Sequence, residues 1–314
     1  MLRWGSPVGD HVPDRGFSVG QCHVMVTRHS AFYTPLLVTI GGGFLAAEGV
    51  DAEFSIAETP RDVLAGIHQG SVQVAQSAVS ANFGALERGK RSPLVHFAQI
   101  NERDGFMLAA REPDEAFTWD KLEGKKVLVD HGRQPLAMFK YALHKEGIDF
   151  DAIEAIDAGT PQAMEQAFRD GQGDYVHLQG PAPQQLAAEG IGHPVAWPGK
   201  SIGPVAFSSL AASHKWLQSP HAKTFMRAYR RAREFAIEMD PDEVASVVGR
   251  YFNDIDRDAL IKTVEMYQGL GCWSPGVRIS PESLDTAFEV FQRSGHITRH
   301  HAYEHLVAQP PGED

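Results

Sequence analysis

Polar and aromatic side chains follow several of the strand-like runs in this 314-residue chain, and these residues are the best candidates for chemistry. Arginine can hold a carboxylate or a sulfonate through two parallel hydrogen bonds, and histidine can exchange a proton near neutral pH. Such a set suits the binding of a small polar or anionic organic molecule. The candidate ligand-binding residues are, in chain order, His29, Ser30, Phe32, Thr59, Arg61, Ser77, Ser80, Asn82, Asn101, His131, Arg133, Thr160, His177 and Gln179.

Several of these candidates have a second interpretation. Thr59 and Thr160 each precede a proline at the start of a helix-like segment, and Arg133 lies two residues before Pro135. Helix N-termini present free backbone N–H groups and a partial positive charge, which favour an anionic ligand. Threonine and proline are also the residues that ordinarily begin a helix. Phe32 can stack on a flat ligand or pack against the sheet, so both interpretations stay open for these residues.

The elements that must position these residues occur twice in the chain. Thr59-Pro60 and Gly70 recur as Thr160-Pro161 and Gly171, each 101 residues later. Two copies of this length indicate a doubled domain rather than a solenoid. The sequence therefore predicts two similar α/β units, with a crevice between them in which a small ligand can bind.

Strand-like runs indicate where the chain passes between the two units. The runs at 94–100 and 106–110 predict the first crossing, and the run at 204–210 predicts the return. The predicted first lobe therefore comprises residues 1–102 and 206–314, and the predicted second lobe comprises residues 103–205. Because turns after parallel strands collect at one edge of a sheet, we expect the candidate residues to meet between the lobes.

The two ends of the chain and its C-terminal region have simpler patterns. From residue 219 onward, cap residues followed by proline or acidic residues predict a series of helices. Residues 1–16 are predicted to be irregular, and residues 309–314 are predicted to be frayed. The densest basic run is predicted to lie on a solvated helix face: Arg227, Arg230, Arg231 and Arg233.

Composition limits the function classes. Hydrophobic residues make up 43% of the chain and charged residues 22%, which is typical of globular proteins. A net charge of -11, without a basic aromatic patch, excludes nucleic acid as a partner. Neither an export signal nor a run of 18 apolar residues is visible. These observations predict no membrane insertion and a cytoplasmic protein as written, or a periplasmic one if the sequence has been trimmed.

Signals for a cofactor or a metal are weak. The three glycines at 41–43 lie inside a helix-like pattern, without the preceding strand and the Lys-Ser/Thr ending of a phosphate-binding loop. Cys22 and Cys272 belong to no metal-ligand spacing and are predicted to be small apolar groups. A solvent-facing cluster is the favoured interpretation of His296, His300, His301 and His305. We therefore predict no cofactor and no bound metal.

Segments spread over residues 20–308 carry a family resemblance. These are residues 43–53, 64–70, 122–127, 171–175 and 273–275, taken in their order and spacing. With these segments the chain resembles the type 2 periplasmic-binding-protein-like superfamily, in particular the sulfonate, nitrate and taurine solute-binding proteins and the thiamine-pyrimidine-related proteins. The resemblance implies an α/β fold of two lobes, each a mixed sheet flanked by helices, with a ligand cleft between them.

The resemblance also implies two function classes. The first is a solute-binding protein of the ABC-transporter type, which closes its lobes over a small sulfonate, carboxylate or pyrimidine-like ligand and has a permease as a further partner. The second is a cytoplasmic enzyme on the same scaffold, similar to desulfinases, decarboxylases or pyrimidine synthases, with His29, His131 or His177 as acid or base. The nucleophilic cysteine of the sulfinate-cleaving members is not matched, because Cys22 lies upstream, within the first predicted strand.

Overall fold

The ten strands of the described residues form two separate sheets. The computed structural model describes residues 20–313, so the predicted lead-in at 1–16 lies outside them. The strands are β1 (Gln21–Val26), β2 (Asp51–Ile56), β3 (Val74–Ser77), β4 (Leu94–Asn101), β5 (Phe106–Ala110), β6 (Lys126–Leu128), β7 (Glu154–Ile156), β8 (Tyr175–Gln179), β9 (His193–Ala196) and β10 (Ser208–Ser213).

Helices cover both sheets. They are α1 (Thr34–Gly41), α2 (Phe44–Ala47), α3 (Pro60–Gln69), α4 (Phe83–Glu87), α5 (Arg133–Lys145), α6 (Pro161–Arg169), α7 (Ala182–Ala188), α8 (Pro198–Ile202), α9 (His214–Leu217), α10 (Pro220–Glu238), α11 (Pro241–Val248), α12 (Arg257–Gly269) and α13 (Pro281–Arg293). Within residues 20–313, every helix falls short of the length or the apolarity that a membrane crossing requires.

The two sheets have the same topology. The first has the strand order β2-β1-β3-β10-β4, and the second has the order β7-β6-β8-β5-β9. In the first sheet β1 is parallel to β2 and β3, whereas β10 is antiparallel to β3 and β4. In the second sheet β6 is parallel to β7 and β8, whereas β5 is antiparallel to β8 and β9. The sheet built on β1 is called the first lobe below, and the sheet built on β6 is called the second lobe.

The sequence repeat occupies equivalent places in the two lobes. Helices α3 and α6 begin after Thr59 and Thr160, as the repeat predicts. Gly70 and Gly171 follow the ends of these helices with φ angles of 75° and 87°. Glycine adopts this left-handed conformation without steric cost, which explains why it recurs at both positions. The prediction of two similar α/β units is confirmed, while the lobe boundaries at 102/103 and 205/206 stay a prediction.

The glycines at 41–43 separate two helices. Helix α1 ends at Gly41, and helix α2 begins at Phe44. Gly43 lies between them with a φ of 79°, which an L-residue with a side chain rarely adopts. These glycines therefore break a helix and do not form a phosphate-binding loop.

Apolar side chains cover both faces of each sheet. In the first lobe, helix α10 buries Phe225, Tyr229 and Ala232, whose spacing of three and four residues places them on one face. In the second lobe, Phe139 of α5 and Phe168 of α6 belong to two different apolar clusters. This arrangement of helices on both sides of a sheet is typical of α/β proteins.

The prediction of a solvated basic helix face is wrong for Arg233. Its side chain is buried inside the first lobe. The guanidinium donates to the carbonyl oxygens of Ser274 at 2.8 Å and Ile100 at 2.9 Å, so backbone acceptors replace water. Arg227, in contrast, is exposed and pairs with Glu48 at 2.7 Å.

The prediction of a frayed C-terminus is wrong for residues 309–313. The backbone of His96 in β4 donates to the carbonyl of Leu306 at 3.0 Å and accepts from the N–H of Ala308 at 2.8 Å. Further along, Glu313 accepts hydrogen bonds from Arg230 at 3.3 Å and from Arg278 at 2.5 Å. These contacts hold the last described residues against the first lobe.

Candidate ligand site between the lobes

A cavity of about 210 Å³ lies between the two lobes, at the ends of strands from both sheets. The first lobe contributes the turn after β1 and the segment 251–255 between α11 and α12. The second lobe contributes the start of β5, the turns after β6 and β8, and the first turns of α6 and α7. The lining residues are Arg28, His29, Ser30, Phe106, Asp130, Pro161, Gln162, Glu165, Leu178, Gln179, Gly180, Pro181, Ala182, Tyr251, Phe252, Asn253, Asp254 and Ile255.

An ion pair crosses the cavity wall from one lobe to the other. Arg28 Nη1 donates to Asp130 Oδ2 at 2.5 Å, and the backbone N–H of Gly132 donates to Asp130 Oδ1 at 2.8 Å. The Asp130 side chain is only 5% exposed and that of Arg28 is 27% exposed. Both carboxylate oxygens therefore have donors, and the pair is shielded from water more than a surface salt bridge.

Neither member of this pair was among the predicted site residues. The sequence contains a signal for both, because each lies two residues beyond the end of the first strand of its repeat. That strand ends at Val26 in the repeat of Arg28 and at Leu128 in the repeat of Asp130. The equivalence of the two repeats could therefore have identified both positions. Their pairing depends on how the lobes approach each other, which local sequence does not specify.

Backbone contacts at Gly180 join the lobes on another side of the cavity. Ser30 Oγ donates to the carbonyl oxygen of Gly180 at 3.0 Å, and the N–H of Ala31 donates to the same oxygen at 3.2 Å. The N–H of Gly180 donates to Tyr267 Oη at 2.8 Å, and that hydroxyl donates to the carbonyl of Gly105 at 3.2 Å. These hydrogen bonds connect five residues, which are Ser30, Ala31, Gly105, Gly180 and Tyr267.

His29 lies at the mouth of the cavity with its ring stacked on Phe252. The ring centroids are 4.6 Å apart and the planes differ by 18°. Partial burial of the imidazole lowers the pKa of His29 from its ordinary value, against the smaller opposing effect of a hydrogen bond to the backbone of Tyr251. The lowered pKa favours the neutral form of the ring at the cavity wall.

The segment 251–255 forms a wall of the cavity that sequence reasoning missed. It places the aromatic rings of Tyr251 and Phe252 next to the exposed polar side chains of Asn253 and Asp254. A short aromatic and polar turn directly before the N-cap Asp256 of helix α12 was the available signal. The segment lies more than 200 residues from β1 in the chain, so only tertiary packing brings it to the site.

Of the fourteen predicted residues, His29, Ser30 and Gln179 line the cavity. Phe32 does not, because its ring is fully buried against Phe207 and Tyr267 at centroid distances of 5.3 and 5.0 Å. Its carbonyl oxygen accepts a hydrogen bond from Asn101 at 2.7 Å. Both residues therefore support the turn after β1 from inside the first lobe.

His177 also lies away from the cavity. Its ring is fully buried between Phe106 and Phe139, at centroid distances of 4.4 and 4.7 Å. Both ring nitrogens lack a hydrogen-bond partner among the described residues. Burial lowers the pKa of His177 to about 3; the negative charge of Asp130 opposes this shift, and the positive charge of Arg28 adds to it. A neutral histidine enclosed by rings is positioned to pack rather than to exchange protons, which corrects its expected role as an acid or base.

Ser77 is the last residue of β3, Ser80 and Asn82 follow the strand, and all three make contacts within the protein. Ser80 Oγ donates to Gln134 Oε1 at 2.7 Å, and Gln134 Nε2 donates to the carbonyl of Phe207 at 2.8 Å, which links the lobes. Asn82 is buried and donates to the carbonyl of Leu94 at 2.9 Å. Ser77 is buried in the sheet.

The remaining predicted residues lie at exposed or half-exposed positions outside the cavity lining. Thr59 forms a capping box with Asp62, whose Oδ2 accepts from the Thr59 N–H at 2.6 Å, and Arg61 is exposed in the same turn. Thr160 caps α6 by accepting from the N–H of Ala163 at 3.2 Å. These threonines thus act as helix caps. The other two residues of this set are Arg133, exposed at the start of α5, and His131, whose Nδ1 lies 2.7 Å from the carbonyl of Val129.

The C-terminal histidines have separate neighbours. His301 Nε2 lies 2.7 Å from Glu87 Oε1, and His300 Nδ1 lies 3.6 Å from Asp285 Oδ1. Among residues 20–313, no three His, Cys, Asp or Glu side chains come together in a way that could hold a metal ion.

The family model described as NMT1/THI5 like matches residues 31–244, about two thirds of the chain. The chain belongs to the NMT1/THI5-like family. A relative from Bacillus subtilis (strain 168), named "Putative binding protein YtlA", is 28% identical over 291 residues, which are 90% of this chain and 86% of the relative. The family resemblance drawn from the sequence is therefore confirmed.

Solved structures share the fold. The alkanesulfonate-binding protein SsuA from Xanthomonas axonopodis pv. citri, bound to MOPS, is 14% identical with a TM-score of 0.70, covering 92% of this chain and 98% of that one. The periplasmic aliphatic sulphonate binding protein SsuA from Escherichia coli is 14% identical with a TM-score of 0.68, covering 95% and 94%. The two-lobe periplasmic-binding-protein fold predicted from the sequence is thus confirmed.

Proposed function

We propose that this protein is a solute-binding protein of the ABC-transporter type, which closes its two lobes over one small organic ligand. The observation that carries the proposal is the cavity of about 210 Å³ between the lobes, lined by the strand ends of both. Clefts between domains are common places for small-molecule binding. The sulfonate-binding proteins that share the fold add support, as does the relative named as a binding protein.

Opening of the two lobes can break several polar contacts that cross the cleft. They are the Arg28 to Asp130 ion pair and the hydrogen bonds from Ser30 to Gly180 and from Ser80 to Gln134. Water can replace each of these contacts when the lobes move apart. A ligand that touches both lobes stabilises the closed arrangement by its preference for that state.

The size and lining of the cavity fit a small ligand. Its volume lies below the roughly 300–1,000 Å³ of pockets for drug-sized molecules. Among the residues predicted from sequence, we assign ligand contact to His29, Ser30 and Gln179. Sulfonates, carboxylates and pyrimidine-like molecules are the candidate classes, and a membrane permease is the proposed partner. The cytoplasmic and periplasmic locations both stay predictions, which fractionation of the native cells tests.

A thermal-shift screen against these three classes tests the proposal. A ligand at 100 times its dissociation constant raises the free energy of unfolding by about 2.7 kcal/mol. We expect a stabilising ligand also to lower the radius of gyration measured by small-angle X-ray scattering. His29→Ala should weaken the binding, whereas the matched His131→Ala, outside the cavity, should leave it unchanged.

Mass spectrometry of the bound molecule separates a binding protein from an enzyme. Recovery of the ligand intact after prolonged incubation is expected. Steady conversion to a product, lost in His29→Ala, would instead support the enzyme class, since His29 is the one histidine of the three acid or base candidates that lines the cavity. Binding equal in wild type and His29→Ala, without any change in radius, would contradict the proposed closure.

A further inference from the structure

The ionisable side chains around the inter-lobe cavity are mostly acidic. Of the described residues that line it, Arg28 is the permanent cation, whereas Asp130, Glu165 and Asp254 are carboxylates. The whole chain carries a net charge of -11, which adds a repulsive field for anions. The mostly negative charge around this cavity is therefore unfavourable for an anion such as a sulfonate or nitrate.

The single guanidinium of the lining is already paired. Arg28 Nη1 donates to Asp130 Oδ2 at 2.5 Å, and Asp130 is held in place by the N–H of Gly132. An anionic ligand at Arg28 would share the guanidinium with a carboxylate that is only 5% exposed. Two anions on one cation in a partly buried place repel each other strongly. Arg28 is thus poorly available as an anion receptor.

The other two carboxylates retain acceptor capacity. Glu165 Oε1 accepts from Arg169 Nε at 3.0 Å and Nη2 at 2.6 Å, while none of the described residues pairs with its Oε2. Asp254 is exposed at the cavity wall and forms no hydrogen bond or ion pair with residues 20–313. Both side chains can accept hydrogen bonds from a ligand.

Gln179 adds a neutral acceptor to the wall. The residue lines the cavity at the end of β8 and is only 9% exposed, yet its Oε1 has no hydrogen-bond partner among the described residues. An unsatisfied buried acceptor costs about 1–3 kcal/mol, so a ligand N–H that reaches this amide gains a favourable contact. Phe106, Tyr251 and Phe252 supply apolar surface beside it.

We infer that the ligand of this cavity carries a protonated amine or a similar cationic N–H donor on a small ring or short apolar group, and that anionic molecules are discriminated against. The inference rests on the proposed binding function, and it replaces the sulfonate and carboxylate candidates with a cationic ligand. The amine lies near Asp254 and Glu165, and the apolar part lies against the aromatic wall. Charge matching of this kind sets specificity more than total affinity.

Calorimetric titration with matched probes tests the inference. The probes are benzylamine, benzoate and benzenesulfonate, together with butylamine, butyrate and butanesulfonate. We expect the amine of at least one series to bind about tenfold or more tightly than both of its anionic counterparts. Asp254→Asn should weaken the amine about two- to fivefold, as expected for loss of an exposed charge contact. The control Asp151→Asn removes an exposed carboxylate outside the cavity lining and should leave the amine affinity unchanged.

The outcomes separate the inference from the function on which it rests. Tighter binding of a carboxylate or a sulfonate, accompanied by lobe closure in X-ray scattering, overturns the amine preference and leaves the binding function standing. Amine binding that is weakened equally by Asp254→Asn and Asp151→Asn reflects general attraction to an acidic protein and also overturns the inference. If no probe binds, and no member of the thermal-shift screen stabilises the protein, both proposals fail together.

Discussion

Arg28 Nη1 lies 2.5 Å from Asp130 Oδ2, so the turn after the first strand of one lobe is joined to the corresponding turn of the other. Strands β1 and β6 hold the same position in their sheets, and the pair therefore connects two related sites of a repeated structure. Because Asp130 is almost buried, the contact depends on the distance between the lobes. We expect the pair to contribute to closure before any ligand is present.

Asp130→Asn is expected to loosen the closed arrangement. Loss of the carboxylate leaves the guanidinium of Arg28 without its counter-ion, at a cost of about 1–2 kcal/mol, between the values for exposed and buried pairs. We expect a larger radius of gyration in X-ray scattering of the ligand-free protein. Asp114→Asn is the control, because it breaks the pair of Asp114 with Lys121 inside the second lobe. Equal radii for both variants would show that the inter-lobe pair has no part in closure.

Tyr267→Phe is expected to destabilise the protein markedly. The fully buried hydroxyl accepts from the N–H of Gly180 and donates to the carbonyl of Gly105, and its removal leaves both groups unpaired. The expected loss is about 1–3 kcal/mol in the free energy of unfolding, measured by urea denaturation. Tyr303→Phe provides the comparison: its hydroxyl donates to the carbonyl of Ile279, but the residue is half-buried and water can replace it. A loss no larger than that of Tyr303→Phe would contradict this account.

Asp104 is expected to make the protein less stable as the pH rises. Burial raises the pKa of Asp104 to about 7, with an opposing effect from the N–H of Phe106, which donates to its Oδ1 at 2.7 Å. Between the unfolded pKa near 4 and about 7, the folded protein keeps a proton that the unfolded chain has released. Stability therefore falls as the pH rises through this window, by up to about 4 kcal/mol, and levels off above it.

Comparison with Asp104→Asn isolates this contribution, since the amide does not titrate. The difference in free energy of unfolding between wild type and variant should shift in favour of the variant from pH 5 to pH 8. A difference that stays constant over this range would mean that Asp104 is not protonated in the folded protein.

His177→Leu is expected to remove a sensitivity to acid while preserving the site. Burial lowers the pKa of His177 to about 3, so below the unfolded value near 6.5 the unfolded chain gains a proton that the folded protein cannot bind. Stability due to the neutral ring is thus lost as the pH falls, by about 2 kcal/mol between pH 7 and pH 5. Relative to wild type, the variant should lose less stability over this interval in urea denaturation.

The same His177→Leu variant tests the position of the residue. Because the side chain packs between Phe106 and Phe139 and does not line the cavity, ligand affinity measured by calorimetry should stay within about twofold of wild type. Loss of binding in a variant that retains wild-type stability would place His177 in the site after all.

The repeat made much of the fold predictable from sequence. The spacing of Thr59-Pro60 and Gly70 against Thr160-Pro161 and Gly171 indicates two equal units, because helix starts and left-handed glycines depend on local chemistry. The strand-like runs at 94–100 and 106–110 likewise correspond to β4 and β5, which lie in different sheets. Patterns of this kind need no knowledge of distant contacts.

The site was harder to predict because it depends on how far a residue lies from the end of its strand and on packing between distant parts of the chain. His177 and Gln179 both lie near the end of β8, but only Gln179, the last residue of the strand, reaches the cavity. His177 lies two residues deeper and is covered by aromatic rings. The wall at 251–255 comes from a distant part of the chain. Arg28 meets its partner Asp130 only because the two lobes lie close together. None of these relationships is encoded in a short window of sequence.

The antiparallel strand of each sheet is contributed by the other repeat of the chain. Strand β5 directly follows β4 but joins the second sheet, and β10 follows β9 but joins the first. Each repeat thus donates its fifth strand to its neighbour, as in a swapped dimer whose subunits have been fused into one polypeptide. The two halves are consequently interlocked within one chain. They can pivot about the two exchanged strands, but they cannot separate unless both sheets unfold.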